Sequence, residues 1–380
     1  MTKLRKVEIY HYRHSLAHPL TTVMGPVTHR PAILVCVEDS DGNRGWGEIW
    51  CNFPPDGDFH RARLALNILP SALGSITLDR PFETFDCLRR KFHRLALQAG
   101  EFGPVDQIAA GADIAVHDLV SRRNGLSLSA HLGRATTSVA AYASGIAPDL
   151  HQEQIERMRG LGYRRFKQRI GFGQDDGLPE LEAAAGSLNP GERMIADANQ
   201  AWTLDKARRQ MDRLVNLNLA WLEEPLQADA SDQDWSALAQ QQAIPLAAGE
   251  NLRDRCSFDA AIKTGALRVI QPDICKWGGL SGCLAVGKLA VSNGLRYCPH
   301  FLGGGVGLIA SAHVLGAIGG DGWLEVDSSE NPLLSHFSEG RIELQEGSFA
   351  LPSGPGLGYD PDTDGAADML HSHEIRDIVQ

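Results

Sequence analysis

Seven short apolar runs in the second half of the chain each end in an ionisable residue, at nearly even steps. The runs RRFKQR, RMIAD, LAWLEE, IPLAAGE, LRVIQPD, LRYCPH and GWLEV bring Lys167, Asp197, Glu223, Glu250, Asp273, His300 and Glu325 to their ends, 23 to 30 residues apart. Amphipathic segments fill the intervals, so each interval accommodates one strand and one helix. A (β/α)8 barrel allots about 30 residues to such a unit and keeps its chemistry where the strands end. The spacing therefore predicts an α/β fold, a (β/α)8-type (TIM-like) barrel with charged side chains around one rim.

The remaining sequence has a different texture. Before the barrel, KVEIYHYRH and PAILVCVEDSDGNRGWGEIW read as strands, with DSDGN as a hairpin turn. From Arg61 to about Gly133 apolar residues recur at three- and four-residue steps, which predicts helices. Strands followed by helices suggest a separate α+β domain. After Glu325, GRIELQEGSFALPSGPGLGYDPD is again β and turn, and is expected beside the N-terminal domain. The division is an N-terminal domain over 1–136, the barrel over 137–335 and a returning segment over 336–380.

Charge and cysteine usage exclude several partners. With 36 basic and 47 acidic residues the net charge is −11, and without basic runs neither nucleic acid nor an anionic membrane is expected as a partner. The seven cysteines are scattered with no CxxC pair, which argues against a disulfide framework or thiolate zinc site and fits the cytoplasm. MTKLRKVEIYHYRH lacks the apolar core of a signal peptide. Phe301 to Gly320 is uncharged but rich in glycine and interrupted by His313, so a buried loop and helix is expected there.

The strand ends supply the chemistry. Asp197, Glu223 (or its neighbour Glu224) and Glu250 come from three consecutive predicted strands, and three anions at one rim require a cation. An all-oxygen set with room for water and substrate suits Mg²⁺. Asp273 and His300 follow one βα unit apart; a carboxylate beside an imidazole fixes its tautomer and makes an acid/base able to cycle near neutral pH. Lys167 and Arg169 alternate along an earlier strand and point the same way, as a pair of cations for a carboxylate. Together these parts suit removal of a proton α to a carboxylate, whose enediolate product needs nearby positive charge.

These residues resemble the mandelate racemase subgroup of the enolase superfamily. The resemblance runs through GWGE (Gly45 to Glu48), DIAVHDLVSRRNGLSLSAHLG, DANQAW (Asp197 to Trp202), WLEEP (Trp221 to Pro225) and GEN (Gly249 to Asn251). It continues through QPDICKWGGLSG, PHFLGGGVG, WLEVD and PSGPGLG. It implies Asp197, Glu223 and Glu250 as Mg²⁺ ligands, favouring Glu223 over Glu224, and Asp273 with His300 as the acid/base dyad. It also implies Glu325 as a hydrogen-bond partner of the metal-bound carboxylate and Asn199 as a neighbouring or substrate contact. Lys276 matches a structural basic residue of muconate-lactonizing relatives.

One position departs from the pattern. The family strand usually ends Lys-x-Lys, the second lysine being a base opposite the histidine, whereas here it reads Lys167-Gln168-Arg169. Arginine keeps its proton above pH 12, so a two-face racemase is disfavoured; Lys167 is a partner base only if Arg169 depresses its pKa. The implied activity is dehydration of a sugar acid, a small-molecule carboxylate, to a 2-keto-3-deoxy acid. Opening of a lactone or anhydro ring and epimerisation are the enzymatic alternatives, and a catalytically silent metal-dependent binding protein the non-enzymatic one. The resemblance further implies a homo-oligomer and an N-terminal cap over the barrel mouth. Its lids would be two turn-rich stretches, Ser15 to His29 (with Thr21, Thr22 and Met24) and Trp50 to His60 (with Asn52 and Phe53). His11, His14, His371 and His373 are expected at the surface or in the tail.

Overall fold

A computed structural model describes residues 2–22, 25–240 and 244–379. The first strands, β1 (Leu4–Thr22), β2 (Gly25–Asp39) and β3 (Arg44–Ile49), form an antiparallel sheet that the last strand, β13 (Leu370–Asp377), joins along β1. Helix Phe102–Arg123 lies across this sheet and is buried without interruption from Val105 to Ser121. The GWGE motif explains the close packing: a Cβ on Gly47 would lie 2.1 Å from the carbonyl of Gly111, and one on Gly45 2.2 Å from that of Ala115. Only glycine lets β3 rest directly on the helix backbone.

Eight parallel strands follow: β4 (Ser138–Ile146), β5 (Arg165–Arg169), β6 (Arg193–Asp197), β7 (Leu222–Glu223), β8 (Leu246–Ala248), β9 (Val269–Ile270), β10 (Arg296–Tyr297) and β11 (Trp323–Asp327). They pair in sequence from β4 to β10, and β11 pairs back onto β4, which curls the sheet into the expected barrel. A bond from the Trp323 amide to Cys298 Sγ spans the remaining seam. Tyr142, Ile195, Trp221, Ala247, Val269 and Cys298 fill the interior as a separate apolar cluster, with Trp323 against it. Side chains two residues further along a strand point the same way. The plug thus becomes a floor, above which Ser144, Asp197, Glu223 and Glu325 project.

Three expectations need correction. The segment after the barrel is shared: β12 (Ser348–Ala350) pairs with barrel strand β4, while Gly356 to Asp360 bond to Asp118, Arg122, Leu126 and Leu128 of the N-terminal domain and β13 joins its sheet. The stretch Ser15 to His29 is no turn-rich loop but a hairpin continuing β1 and β2; Val23, Met24 and the side chains of Thr21 and Thr22 lie outside the described residues. His11 is buried, with its ring 2.5 Å from Asp58, because β1 turns this side toward helix Gly57–Leu73. The uncharged stretch after Phe301 forms the buried helix Gly305–Ile318. No helix among the described residues is long and apolar enough to cross a membrane.

Candidate active site

A cavity of about 810 Å³ opens where the barrel strands end, beneath Trp50 and Phe53 of the N-terminal domain. Lys167, Arg169, Asp197, Asn199, Glu250, His300 and Glu325, all anticipated from the sequence, line it. Asp273 lies directly behind His300, its Oδ2 2.8 Å from Nδ1 of the imidazole. The Asp273 Oδ1 accepts the backbone N–H groups of Cys275 and Lys276, which fixes the carboxylate and through it the ring. The far nitrogen, Nε2, lies 2.8 Å from Glu250 Oε2. Burial opposes charge on this imidazole, but Glu250, Glu325 and the bond to Asp273 outweigh it and hold the pKa well above the ordinary value.

The three anticipated metal ligands do not converge on one point. Among the described residues no three His, Cys, Asp or Glu side chains are grouped to hold a metal ion. Three protein cations stand among them instead. The Lys167 ammonium lies 2.6 Å from Glu223, 2.6 Å from Glu325 and 3.3 Å from Asp197, while His300 and Lys276 flank Glu250. Burial raises the Glu250 carboxyl, but these two cations more than offset it, so it titrates well below the usual carboxylate range.

Lys167 requires a further correction. Desolvation favours its neutral form, but Glu223, Glu325 and Asp197 reverse that and raise its pKa well above 10.5. In this setting Lys167 is a fixed cation and a poor base. Arg169, one strand pair nearer the mouth, faces the cavity with its buried Nε lacking a hydrogen-bond partner.

Glu223 and Glu224 separate at the end of β7. Glu223 continues the strand's inward direction beside Trp221, accepting from Trp221 Nε1 at 3.1 Å and Gln271 Nε2 at 2.8 Å, and burial lifts its pKa to about 7. Glu224 takes a left-handed backbone conformation (φ 36°) and turns toward the cavity, where Asn251 Nδ2 bonds both its oxygens. Glu224 lines the cavity; Glu223 lies below its wall. Asn199, also at positive φ, folds back so that its amide and side chain bond Asp197 Oδ1 at 2.9 and 2.8 Å. Its place on the cavity wall and its turn geometry therefore coexist.

Sequence reasoning missed Asn251, Ser144 and Gln271 and set Glu224 aside. Asn251 bridges Glu224, Glu250 and Lys276, and Ser144 Oγ donates to Glu325 Oε1 at 2.6 Å. Asn251 and Gln271 carried a signal, as the last residue of GEN and the first of QPDICKWGGLSG, and Ser144 carried none. Lys276, doubtful from sequence, is a wall cation over the Trp50 ring.

A barrel with carboxylates, a lysine and an aspartate–histidine dyad at successive strand ends, roofed by an α+β domain, has the architecture of the enolase superfamily. The chain belongs to that superfamily's mandelate racemase/muconate lactonizing enzyme group. Residues 4–133 match the family described as mandelate racemase/muconate lactonizing enzyme, N-terminal domain, and residues 150–365 match enolase C-terminal domain-like. The chain is 30% identical to D-galactarolactone cycloisomerase of Agrobacterium fabrum, across 95% of this chain and 97% of that protein. A mandelate racemase/muconate lactonizing enzyme structure from Bordetella bronchiseptica superimposes with a TM-score of 0.91 at 42% identity, covering 97% of this chain and 99% of that one. L-talarate dehydratase from Polaromonas sp. JS666, solved with Mg and L-glucarate, superimposes with a TM-score of 0.84 at 25% identity, over 99% and 100% of the two chains.

Proposed function

We propose that this enzyme is a Mg²⁺-dependent lyase that removes the proton α to the carboxylate of a sugar acid and expels the β-hydroxyl, yielding a 2-keto-3-deoxy acid. The observation carrying this reading is the Asp273–His300 dyad at the cavity wall, with only a lysine and an arginine at the end of β5 where a second base would be needed. A guanidinium is a poor base, and three carboxylates keep the Lys167 ammonium charged. One competent acid/base suffices for elimination, whereas epimerisation needs one on each face.

The charge balance of the site fits a hard dication. Asp197, Glu223, Glu224, Glu250 and Glu325 crowd carboxyl oxygens together at the strand ends, and burial with the neighbouring carboxylates pushes Glu223 and Glu224 up, a cost that a cation relieves. We assign Asp197, Glu223 and Glu250 as the residues that would hold Mg²⁺, an all-oxygen set. The ion supplies positive charge that makes the α-proton acidic and stabilises the enediolate.

The chain's own groups do the rest. The Lys167 ammonium and the Arg169 guanidinium bind substrate oxygens, and Glu325, pinned by Ser144 and the Phe301 amide, holds the Lys167 ammonium in place. His300 exchanges its Glu250 contact for substrate; without Glu250 beside it the imidazolium would release its Nε2 proton to water, and the neutral nitrogen then takes the α-proton. Asp273 stabilises the imidazolium that results. The same nitrogen returns a proton to the departing β-hydroxyl, which leaves as water, and the enol tautomerises to the keto acid. Trp50 and Phe53 roof the cavity against bulk water.

The 30% identity to a lactone cycloisomerase supports a second reading, opening of a lactone or anhydro ring by the same β-elimination. Incubating the Mg²⁺-loaded protein in D₂O with a library of mono- and diacid sugars and their lactones tests both. A semicarbazide-reactive 2-keto acid from open-chain acids is expected. Turnover of lactones alone establishes ring opening, and deuterium in inverted, recovered substrate refutes elimination. H300N is expected to abolish turnover and leave Mg²⁺ affinity nearly intact; unchanged turnover refutes the acid/base role.

A further inference from the structure

The N-terminal domain contributes a buried carboxylate to the segment that carries His300. Glu48, last residue of GWGE on β3, is 2% exposed, and its two oxygens accept from the backbone N–H groups of Gly304 (through Oε1) and Gly307 (through Oε2, 2.8 Å). Those donors belong to the first turn of helix Gly305–Ile318, joined to His300 only by Phe301, Leu302 and Gly303. First-turn N–H groups have no partner within their own helix, and a carboxylate there also meets the positive end of the helix dipole.

The glycine run is shaped around this contact. A Cβ on Gly303 would lie 2.6 Å from Glu48 Oε1, and one on Gly304 3.1 Å from Oε2. Other ties complete the mount: Asn52 of the N-terminal domain donates to the Leu302 carbonyl at 2.7 Å, Asn331 to that of Gly303 at 2.9 Å, and the Phe301 amide donates to Glu325. Burying this carboxyl is costly, since desolvation pushes its pKa up to about 7 against the pull of the two amides. A neutral isostere would avoid the cost but cannot present two equivalent acceptors.

We propose that Glu48 is a positioning residue for the acid/base, clamping the segment after His300 so that the imidazole is held at working distance only while the cap is seated. The inference rests on the acid/base reading of His300. Glu48 does not line the cavity; its charge is felt by Asp273, and its two hydrogen bonds act on the backbone that follows His300.

The test uses the full-length Mg²⁺-loaded protein with E48Q and E48A, assayed on the acid sugar turning over fastest in the library. A misplacement of about 1 Å at a reacting group costs on the order of 10²-fold in rate. E48A is therefore expected to lose about 10²-fold in kcat with KM and Mg²⁺ affinity within about twofold. E48Q, keeping one acceptor, should fall between it and the unmodified protein. Hydrogen exchange of the peptide containing Gly304 and Gly307 should accelerate in both, while β4 to β9 stay protected. Should E48A fail to fold, E48Q carries the comparison. Faster exchange at these glycines with unchanged kcat overturns the inference, as does a loss confined to KM. Full turnover by H300N instead overturns the acid/base reading, a separate and separately visible failure.

Discussion

Replacing Lys167 by methionine removes the charge shared by Asp197, Glu223 and Glu325 without changing the side chain's approximate length. The ammonium lies 3.3, 2.6 and 2.6 Å from these three carboxylates and the side chain is 3% exposed, so bulk-water screening contributes little. With an effective dielectric near 20, a contact at 2.6 Å is worth about 6 kcal/mol of attraction before desolvation is charged against it. Breaking a buried pair by removing one partner costs roughly 3–5 kcal/mol net, because the remaining charge stays buried. Over 380 residues an unfolding entropy of about 2.1 cal/mol/K per residue gives ~0.8 kcal/mol per degree. K167M in EDTA should therefore melt about 4–6 °C below the unmodified protein. The carboxylates it frees include Asp197 and Glu223, two of the three assigned to the metal, so Mg²⁺ no longer competes with an ammonium there and should bind K167M more tightly. Saturation at 100 times Kd adds ~2.7 kcal/mol, so the melting deficit shrinks as magnesium is added, although turnover stays lost. Calorimetric scans in EDTA and in graded Mg²⁺ check both halves. Equal melting temperatures without metal, or a deficit that magnesium does not narrow, would refute the argument that one cation stands in for another.

Two further outcomes follow from the geometry. E223Q should weaken Mg²⁺ binding by roughly tenfold or more and E224Q by less, since Glu223 stands in register with Asp197 and shares the Lys167 cation with it; the reverse order in titration calorimetry transfers the ligand role to Glu224. Burial, with His131 beside it, pulls His117 down to about 3, so the folded protein keeps it neutral where the unfolded chain protonates it near 6.5. Its stabilising contribution is complete above pH 6.5 and lost as pH falls toward 3. Relative to H117N, the unmodified protein should lose about 2 kcal/mol between pH 6.5 and 5, measured by urea unfolding; a pH-independent difference contradicts a buried neutral imidazole.

The barrel and most of its rim were legible because they rest on local regularities. A strand of period two followed by a helix repeats at a fixed chain length, and a side chain at a strand's end must face the mouth if the residue two before it fills the floor, as Trp221 and Glu223 do. What escaped depends on long-range encounters that no spacing encodes. Whether Arg169 would depress Lys167 was decided by three carboxylates from β6, β7 and β11, which come within reach only when the sheet closes. Glu224 faces the cavity because the chain breaks from β7 with a positive φ at a non-glycine residue, a conformation its side chain does not favour and the surrounding fold imposes. Asn251 matters only because Glu224, Glu250 and Lys276 meet around it. The same limit applies to the cap: GWGE was readable as a motif, yet Glu48 meets its donors more than 250 residues away, at the first turn of another domain's helix. Side chains whose partners lie along one strand can be placed from the sequence, and those whose partners lie across the closed barrel cannot. The proton-transfer geometry of this site belongs mostly to the second kind.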